Sequence, residues 1–308
     1  MATTQVQVLR GRQVPLGGIR AMYVRRTLPH RNRSFVGAWC FVDHYGPDEI
    51  DPQTDPETGG GMDLPPHPHT GLQTVSWLFE GELEHRDSGG AAGLIRPGEV
   101  NLMTAGAGIA HSEVTTSGTT RLHGVQLWVA LPQGERFRNA DFAHHADLPV
   151  VEIGAVRATV MVGEFAGAAS PAETFSPLVG AQVDLTGLAT LPLQPDFEYA
   201  VLAVDADLTV DGQAVPRGAL QYLGWGATHV QLAADPCARV LVLGGEPMTE
   251  DLLMWWNFVG RTHEEIVEAR RDWEGGDDRF GPVPGDPNPR LPAPALPTVA
   301  LKARPARR

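Results

Sequence analysis

The 308-residue sequence has 37 acidic and 24 basic side chains, so its formal net charge is -13, and 42% of its residues are hydrophobic. These values are typical of a globular protein long enough for one large or two ordinary domains. The negative charge argues against direct nucleic-acid binding and against non-specific attraction to anionic membranes, because both need a basic surface.

The cysteines and the apolar segments favour a cytoplasmic protein. Cys40 and Cys237 are far apart in sequence, so neither a disulfide framework nor a cysteine-based zinc motif is predicted, and a reducing compartment is expected. The first ten residues lack the basic and apolar regions of a signal peptide. The sequence has no uncharged apolar stretch of about 18 residues, so no membrane span is expected.

Residues 1–60 are predicted to form short strands and loops. The basic run 25–33 is interpreted as a solvated loop or hairpin, and residues 36–43 as an apolar strand. Residues 48–63 are rich in Pro, Asp and Gly, which is typical of a loop.

The next segment, residues 65–132, has apolar runs broken at short intervals by Gly and Pro. Repeated short strands of this kind favour an antiparallel sandwich or jelly roll. We predict strands at residues 73–79, 83–86, 93–96, 100–104, 110–115 and 122–130.

A polar stretch, residues 133–150, is interpreted as a linker, after which the strand pattern resumes. Asp211-Gly212 is a hairpin signal. The only histidine between residues 151 and 245 is His229, so this half is predicted to be a second barrel without a metal. Its strands are expected at residues 156–162, 180–185, 198–204, 207–210, 221–223 and 239–244.

The period changes to that of a helix near residue 262. Thr262 and Glu265 fit a capping box, in which Thr262 accepts a bond at the helix start and Glu265 reaches back. Ile266, Ala269 and Trp273 follow at helical spacing, which indicates a helix that seals a core. Eight of the last 27 residues are proline, so a disordered tail is expected.

Two pairs of metal-ligating side chains are the main functional signal. His67 and His69 form one pair, and His111 and Glu113 form the other. Residues i and i+2 of a strand point to the same face, so each pair projects together. If both strands line one barrel, three imidazoles and one carboxylate converge. The alternative is that these are core or loop histidines without a ligand role.

Such a mixed set of nitrogen and oxygen ligands suits Fe(II), Mn, Co, Ni or Zn and leaves positions open for water, substrate or O2. The remaining histidines are expected not to be ligands. Among them His123 is a candidate for a pocket role, because it lies on the strand after the second pair. The others considered are His44, His85 and His263.

Several motifs together resemble the pirin family of the cupin superfamily, over roughly residues 15–275. They are Asp43-His-Tyr-Gly-Pro47, His67-Pro-His-Thr-Gly-Leu-Gln-Thr-Val75, His85-Arg-Asp-Ser88, Pro97-Gly-Glu-Val100, Met103-Thr-Ala-Gly-Ala-Gly-Ile-Ala-His-Ser-Glu113 and Met254-Trp-Trp-Asn-Phe-Val-Gly-Arg-Thr-His-Glu-Glu-Ile266.

The resemblance implies an all-β fold of two tandem cupin-type (jelly-roll) β-barrels with a short C-terminal helix. Residues 1–135 would be the metal-binding barrel, 136–275 the barrel without ligands plus the closing helix, and 276–308 the tail. The ligands carried over are the same four: His67, His69, His111 and Glu113. Iron, as Fe(2+), is the expected metal, with Ni, Co, Mn, Cu or Zn as alternatives.

Two kinds of function follow from the resemblance. Some pirins resemble quercetin 2,3-dioxygenases, which open a flavonol ring with O2 and release carbon monoxide; Glu113 would then be the catalytic base and a flavonol-like aromatic compound the substrate. Animal pirins instead act as iron-dependent transcription co-regulators, and others bind metabolic enzymes. The stretch 254–259 is a candidate surface for such a protein partner.

The sequence departs from the general cupin pattern at two places. Gln73 stands where that pattern has Glu, and Thr115 lies near the position of a cupin Asn. An amide is a poorer base and metal ligand than a carboxylate. Glu113 would therefore be the only acidic group at the metal.

Overall fold

The computed structural model describes residues 6–16, 22–51 and 61–306. The strands in chain order are β1 Gln7–Arg10, β2 Arg12–Pro15, β3 Tyr23–Leu28, β4 Trp39–Glu49, β5 Asp63–His69, β6 Leu72–Glu80, β7 Leu83–Asp87, β8 Ala92–Ile95, β9 Val100–Thr104, β10 Ile109–Thr115, β11 Arg121–Ala130, β12 Asp141–His145, β13 Val150–Ile153, β14 Val156–Phe165, β15 Ala168–Ala169, β16 Leu178–Pro192, β17 Glu198–Ala203, β18 Leu208–Val210, β19 Gln213–Val215, β20 Ala219–Trp225, β21 His229–Gly245, β22 Leu253–Trp255 and β23 Phe258–Gly260. The helix α1 spans His263–Gly275.

The chain divides into two compact units, and neither is one continuous piece of sequence. Among the described residues, the first unit contains residues 6–12, 25–44 and 145–248, and the second contains residues 13–16, 22–24, 45–51, 61–144 and 249–306. This division differs from the contiguous one expected at residue 135. Local periodicity carries no information about which distant segments pair, so it could not predict that each unit combines segments distant in sequence. The domain bounds 1–135, 136–275 and 276–308 stay a prediction.

The second unit contains both predicted ligand pairs. Its four-stranded antiparallel sheet has the order β5-β10-β7-β8, while β9, β6 and β11 are neighbours in a separate sheet. The six strands predicted between residues 73 and 130 correspond to β6 through β11, with ends that differ by no more than one residue. The predicted loop 48–63 ends where β5 begins, and residues 52–60 lie outside the described ranges.

The first unit is built on a long antiparallel pair of strands, β16 and β21; β14 pairs with β16 on one side, and β17 pairs with β21 on the other. Its apolar core is continuous and contains Val183, Val201 and Val242, each fully buried. His229 lies exposed at the start of β21. The all-β fold with two cupin domains is confirmed, although the sheets do not close into complete hydrogen-bonded barrels.

The helix has the predicted N-terminus and the predicted buried face. The Thr262 side chain accepts a bond from the Glu265 backbone N–H, while Glu265 Oε2 accepts from the backbone N–H of Arg261 rather than that of Thr262. Ile266, Ala269 and Trp273 share that face. The helix packs in the second unit. Among the described residues no helix is long and apolar enough to cross a membrane.

Two segments are more structured than the sequence indicated. The predicted linker contains strand β12, which pairs with β9. The predicted tail has no regular secondary structure, but its described part, up to residue 306, packs in the second unit, where Phe280 is 1% exposed and Val283 is also buried. A few well-spaced apolar residues are enough to hold a proline-rich segment, and composition alone does not reveal them.

Candidate metal centre

Strands β5 and β10 bring the two ligand pairs together. They are antiparallel neighbours, and the register places His111 opposite His67 and Ile109 opposite His69. The pairing shifts between His111 and Glu113, which marks a bulge. Because side chains alternate along a strand, the two pairs face the same side, as their spacing predicted.

The three histidine rings form a compact buried cluster. Their centroids are 5.0 Å apart for His67 and His69, 4.3 Å for His67 and His111, and 5.0 Å for His69 and His111. One ring nitrogen from each lies within 4.8 Å of the others. None of the three residues is more than 7% exposed. Ring nitrogens at this separation can share one cation.

The lowered pKa values of these three rings favour the binding of a metal ion over the binding of a proton. Burial lowers the pKa of His67 to about 4, although the bond to the Pro65 carbonyl opposes the shift. Burial and the neighbouring rings also hold the pKa of His69 and His111 well below the usual range for histidine. All three are therefore neutral at pH 7, which is the state of a metal ligand.

The hydrogen bonds leave ligand atoms available. His67 Nδ1 lies 2.9 Å from the Pro65 carbonyl oxygen, so it donates that bond and keeps the lone pair on Nε2. His111 Nε2 is buried and has no hydrogen-bond partner among the described residues. A buried nitrogen without a partner is costly unless a ligand takes its lone pair. The site therefore fits a divalent metal of the kind that imidazole binds.

Glu113 lies on the same side but is grouped with different neighbours. A carboxylate oxygen of Glu113 is within 4.8 Å of ring nitrogens of His85 and His111. Burial raises the pKa of Glu113, whereas His85 and hydrogen bonds from Ser76 and Gln126 act in the opposite direction. The structure thus joins Glu113 to His111, and its place in a four-ligand set stays a prediction.

The sequence prediction missed His85. This residue is on β7, directly opposite Glu113, and Asp87 is opposite His111. Both are almost fully buried. His85-Arg-Asp87 has the same i, i+2 spacing as the two ligand pairs, so a consistent reading of strand periodicity would have selected it.

Aromatic rings flank the cluster. Trp128 meets His69 edge-on at 5.1 Å between centroids, and Phe142 of β12 stacks on His85 at 4.5 Å. The backbone of Asn257, in the turn between β22 and β23, forms a hydrogen bond that opposes the lowering of the pKa of His69.

The other singled-out residues lie in separate environments. Gln73 donates a 3.0 Å bond to the Thr104 hydroxyl, which a carboxylate could not do. His123 lies against Phe79 and is in neither metal-binding group. His44 is buried, and His263 accepts a bond from the Leu301 backbone; neither belongs to the cluster.

Sequence comparison finds a family profile for each half of the chain. The pirin profile matches residues 20–129, and the profile described as the pirin C-terminal cupin domain matches residues 179–281. The chain belongs to the pirin family. This result confirms the resemblance seen in the motifs.

The similar pirins include bacterial proteins named for a dioxygenase. A Pseudomonas aeruginosa protein provisionally named quercetin 2,3-dioxygenase is 45% identical over 95% of this chain and 91% of its own length. A pirin-like protein of Caulobacter vibrioides is 38% identical over 82% of this chain and 88% of its own. The crystal structure of a quercetin 2,3-dioxygenase from Acinetobacter baumannii superposes with a TM-score of 0.91, at 41% identity and 97% coverage of both chains.

These relatives and the histidine cluster support the same coarse conclusion. The chain is a pirin-type cupin, its relatives imply a metal cofactor, and the cluster can bind a metal.

Proposed function

We propose that this pirin is a metal-dependent dioxygenase of the quercetin 2,3-dioxygenase type, which uses Fe(2+) to cleave a flavonol-like aromatic compound with O2. The observation that carries the proposal is the cluster of three neutral, buried imidazoles with ligand nitrogens within 4.8 Å of one another. The 45% identity to a relative provisionally named for this activity supports the choice of reaction.

Four residues would hold the metal: His67, His69, His111 and Glu113. Three imidazoles and one carboxylate suit Fe(2+), and Ni, Co, Mn, Cu or Zn are the alternatives. The bound metal would supply Lewis acidity and a place where O2 and a substrate oxygen meet.

Glu113 would act as the general base. Burial raises its pKa, so the carboxylate is a stronger proton acceptor than an exposed one and can take the proton of the substrate hydroxyl. The Ser76 hydroxyl, 2.9 Å from Glu113 Oε1, orients the carboxylate for this transfer. The burial of Glu113 and His111, each no more than 1% exposed, keeps bulk water from competing for the proton.

The reaction balances without a further reductant. The substrate hydroxyl gives its proton to Glu113, both oxygen atoms of O2 enter the ring-opened ester, and one ring carbon leaves as carbon monoxide. The proton on Glu113 then returns to the carboxylate of the product. The aromatic residues Trp128 and Phe142, which flank the cluster, suit a flat apolar substrate.

The test uses the full chain purified without oxygen and loaded with iron. Quercetin and O2 are added to the wild type and to His69→Ala, and loss of flavonol absorbance is followed together with carbon monoxide release. We expect turnover by the wild type and none by the variant. His229→Ala is the matched control, because this exposed histidine lies in the first unit and should leave turnover unchanged.

Stoichiometric iron without loss of the flavonol would contradict the dioxygenase proposal for this substrate. It would favour the alternative, a non-enzymatic regulatory protein whose metal state controls binding to transcription or metabolic partners. The stretch 254–259 is a weaker partner surface than its apolar sequence indicated, because Phe258 and Val259 are buried within their own unit.

A further inference from the structure

Strand β7 places a second pair of polar side chains behind the histidine cluster. His85 and Asp87 are 2% and 1% exposed. His85 Nε2 lies 3.1 Å from Asp87 Oδ2, and His85 Nδ1 lies 3.3 Å from His111 Nδ1. The three side chains therefore form one buried chain of hydrogen bonds that ends at a candidate ligand.

The positions of the hydrogen atoms follow from Asp87. Its Oδ1 accepts from the backbone N–H of Ala91 at 3.0 Å. An ionised carboxylate only accepts, so the Nε2 of His85 must carry a hydrogen and donate to Oδ2. When His85 is neutral, its lone pair is on Nδ1, and His111 donates its Nδ1–H to it. The lone pair of His111 is consequently on Nε2, the nitrogen that has no partner among the described residues.

We propose that Asp87 and His85 are positioning residues that lock His111 in its Nδ1–H tautomer, so that Nε2 is presented to the metal. The proposal rests on the metal site proposed above and not on the reaction. Histidine ligands in metal sites commonly donate their second ring N–H to a fixed acceptor. Here the acceptor is another histidine, which is itself oriented by a carboxylate.

Asp87→Asn is the decisive variant because it keeps the shape and changes the hydrogen bonds. The Asn carbonyl would keep the bond from Ala91 N–H, and the NH2 group would then face His85 Nε2. His85 would have to accept there and carry its hydrogen on Nδ1. His111 would accept at Nδ1 and carry its hydrogen on Nε2, where it blocks the metal. The loss of function in the Asn variant of a serine-protease triad Asp has the same origin.

The first measurement reads the tautomer in the metal-free full-length protein. Two-bond proton–nitrogen spectra of protein labelled with 15N-histidine distinguish an Nδ1–H ring from an Nε2–H ring, and the His111 signals are assigned from their loss in His111→Gln. We expect Nδ1–H in the wild type and Nε2–H in Asp87→Asn. An Nε2–H tautomer in the wild type, or no change in the variant, would overturn the proposal.

The second measurement is the affinity for Ni²⁺ by titration calorimetry at one fixed pH. Asp87→Asn should bind about 10–100-fold more weakly than the wild type. His85→Gln should lose less than about tenfold, because the Gln carbonyl can accept from His111 Nδ1–H while its NH2 group donates to Asp87. If Asp87 and His85 only stabilised the fold, the Ni²⁺ affinities of these two variants would not differ in this order.

Asp43→Asn is the matched control for general destabilisation. Asp43 is a fully buried carboxylate in the first unit, where it accepts two 2.7 Å bonds from Arg26. The variant should be less stable and should bind Ni²⁺ as the wild type does; weaker binding equal to that of Asp87→Asn would contradict the proposal.

The remaining alternative is that His85 is itself a ligand, since it shares a second potential metal group with His111 and Glu113. X-ray absorption of the Ni²⁺-loaded protein counts the bound imidazoles. Three in both the wild type and His85→Gln supports the positioning role, and a count that drops in the variant overturns it. None of these measurements uses O2 or a flavonol, so they can succeed while the dioxygenase proposal fails.

Discussion

The hydroxyl of Ser76 on β6 lies 2.9 Å from Oε1 of Glu113 on β10, and this hydrogen bond connects the sheet that contains β6 to the four-stranded sheet that contains β10. Ser76 Oγ is also 2.8 Å from Oε1 of Gln126. A single hydroxyl has one hydrogen to donate, and the ionised carboxylate is the stronger acceptor, while a hydrogen bond from the Gln126 side chain also lowers the pKa of Glu113. Two neutral donors thus stabilise the charged form of Glu113.

The first prediction concerns Ser76→Ala. Removing the hydroxyl takes away a bond to the ionised carboxylate, so the pKa of Glu113, already raised by burial, should rise further. We expect the affinity for Fe²⁺ or Ni²⁺ at pH 6 to fall about tenfold, because a bond to a charged group contributes about 1.5–3 kcal/mol. The loss should be smaller at pH 8, because a carboxyl group of raised pKa is more fully ionised there than at pH 6. Titration calorimetry at the two pH values makes the comparison.

Ser112→Ala is the control for that experiment. Ser112 is a buried serine on the same strand, between His111 and Glu113, and its side chain points to the opposite face. Its removal should leave the metal affinity unchanged at both pH values. An equal loss in both variants would show that the effect of Ser76 is not specific to Glu113.

The second prediction concerns the stability of the metal-free protein in acid. Burial lowers the pKa of His67 to about 4, whereas the unfolded chain titrates at 6.5. Between these values the unfolded state binds a proton that the folded state does not, so the free energy of unfolding falls as the pH falls from 6.5 to 4. The contribution of His67 is about 3 kcal/mol.

Urea unfolding of the chelator-treated protein at several pH values measures this loss. His69 and His111 act in the same direction because their pKa values are also lowered. His67→Gln should therefore reduce the slope of the free energy of unfolding against pH, between pH 6.5 and 4, by the equivalent of about one bound proton. The contributions of His69 and His111 to that slope should remain. A slope identical to that of the wild type would show that His67 titrates normally.

The third prediction contrasts two buried tyrosines. The hydroxyl of Tyr45 is buried without a hydrogen-bond partner among the described residues, whereas the Tyr222 hydroxyl donates to Glu198 at 2.5 Å. Tyr45→Phe should leave the free energy of unfolding unchanged or raise it by about 1 kcal/mol, while Tyr222→Phe should lower it by about 1.5–3 kcal/mol. Urea unfolding of both variants at pH 7 provides the test. A large loss in Tyr45→Phe would reveal a partner such as bound water.

The fourth prediction concerns Gly71, which follows the ligand strand β5. It has φ +70, and a Cβ there would be 2.2 Å from the Val259 carbonyl oxygen on β23. Gly71→Ala should cost about 2–4 kcal/mol, since it combines backbone strain with a clash against a backbone atom. Gly98→Ala is the matched control: its φ is +83 and nothing lies within 4 Å, so only about 1 kcal/mol is expected. If denaturant unfolding showed equal losses of stability in the two variants, the β23 backbone would be able to move away from the new methyl group at little cost.

Strand periodicity was sufficient to predict one part of the candidate site, the two pairs of side chains. The i, i+2 spacing of His67 and His69, and of His111 and Glu113, selected residues that the pairing of β5 and β10 does bring to one side. The same rule was not applied to His85 and Asp87, so the chain of hydrogen bonds to His111 was missed. That chain depends on cross-strand register, which no local pattern fixes.

The fold shows the same limit. The strand at residues 100–104 was predicted at the bounds that β9 has, because its apolar run is bounded by Gly and Pro. The placement of residues 25–44 in one unit and 249–306 in the other depends on long-range pairing. Strand β12 was missed as well, since a short half-exposed run resembles a linker unless its partner β9 is known.

The last prediction tests the packed C-terminal segment. Phe280 contacts Phe258 and Trp273 at ring-centroid distances of 5.9 and 5.6 Å, and the Leu291 N–H donates a 2.8 Å bond to the carbonyl of Pro66, next to His67. A disordered tail would tolerate Phe280→Ala, whereas a packed one should lose about 3–5 kcal/mol, because the ring leaves a cavity. Val299→Ala is the control: this side chain is 70% exposed, and its loss should change stability by less than about 0.5 kcal/mol. Thermal and urea unfolding of the two variants decide between the cases. Equal stabilities would restore the interpretation of a loosely attached tail, while a large loss for Phe280→Ala alone would establish that residues beyond the helix stabilise the unit that carries the histidine cluster.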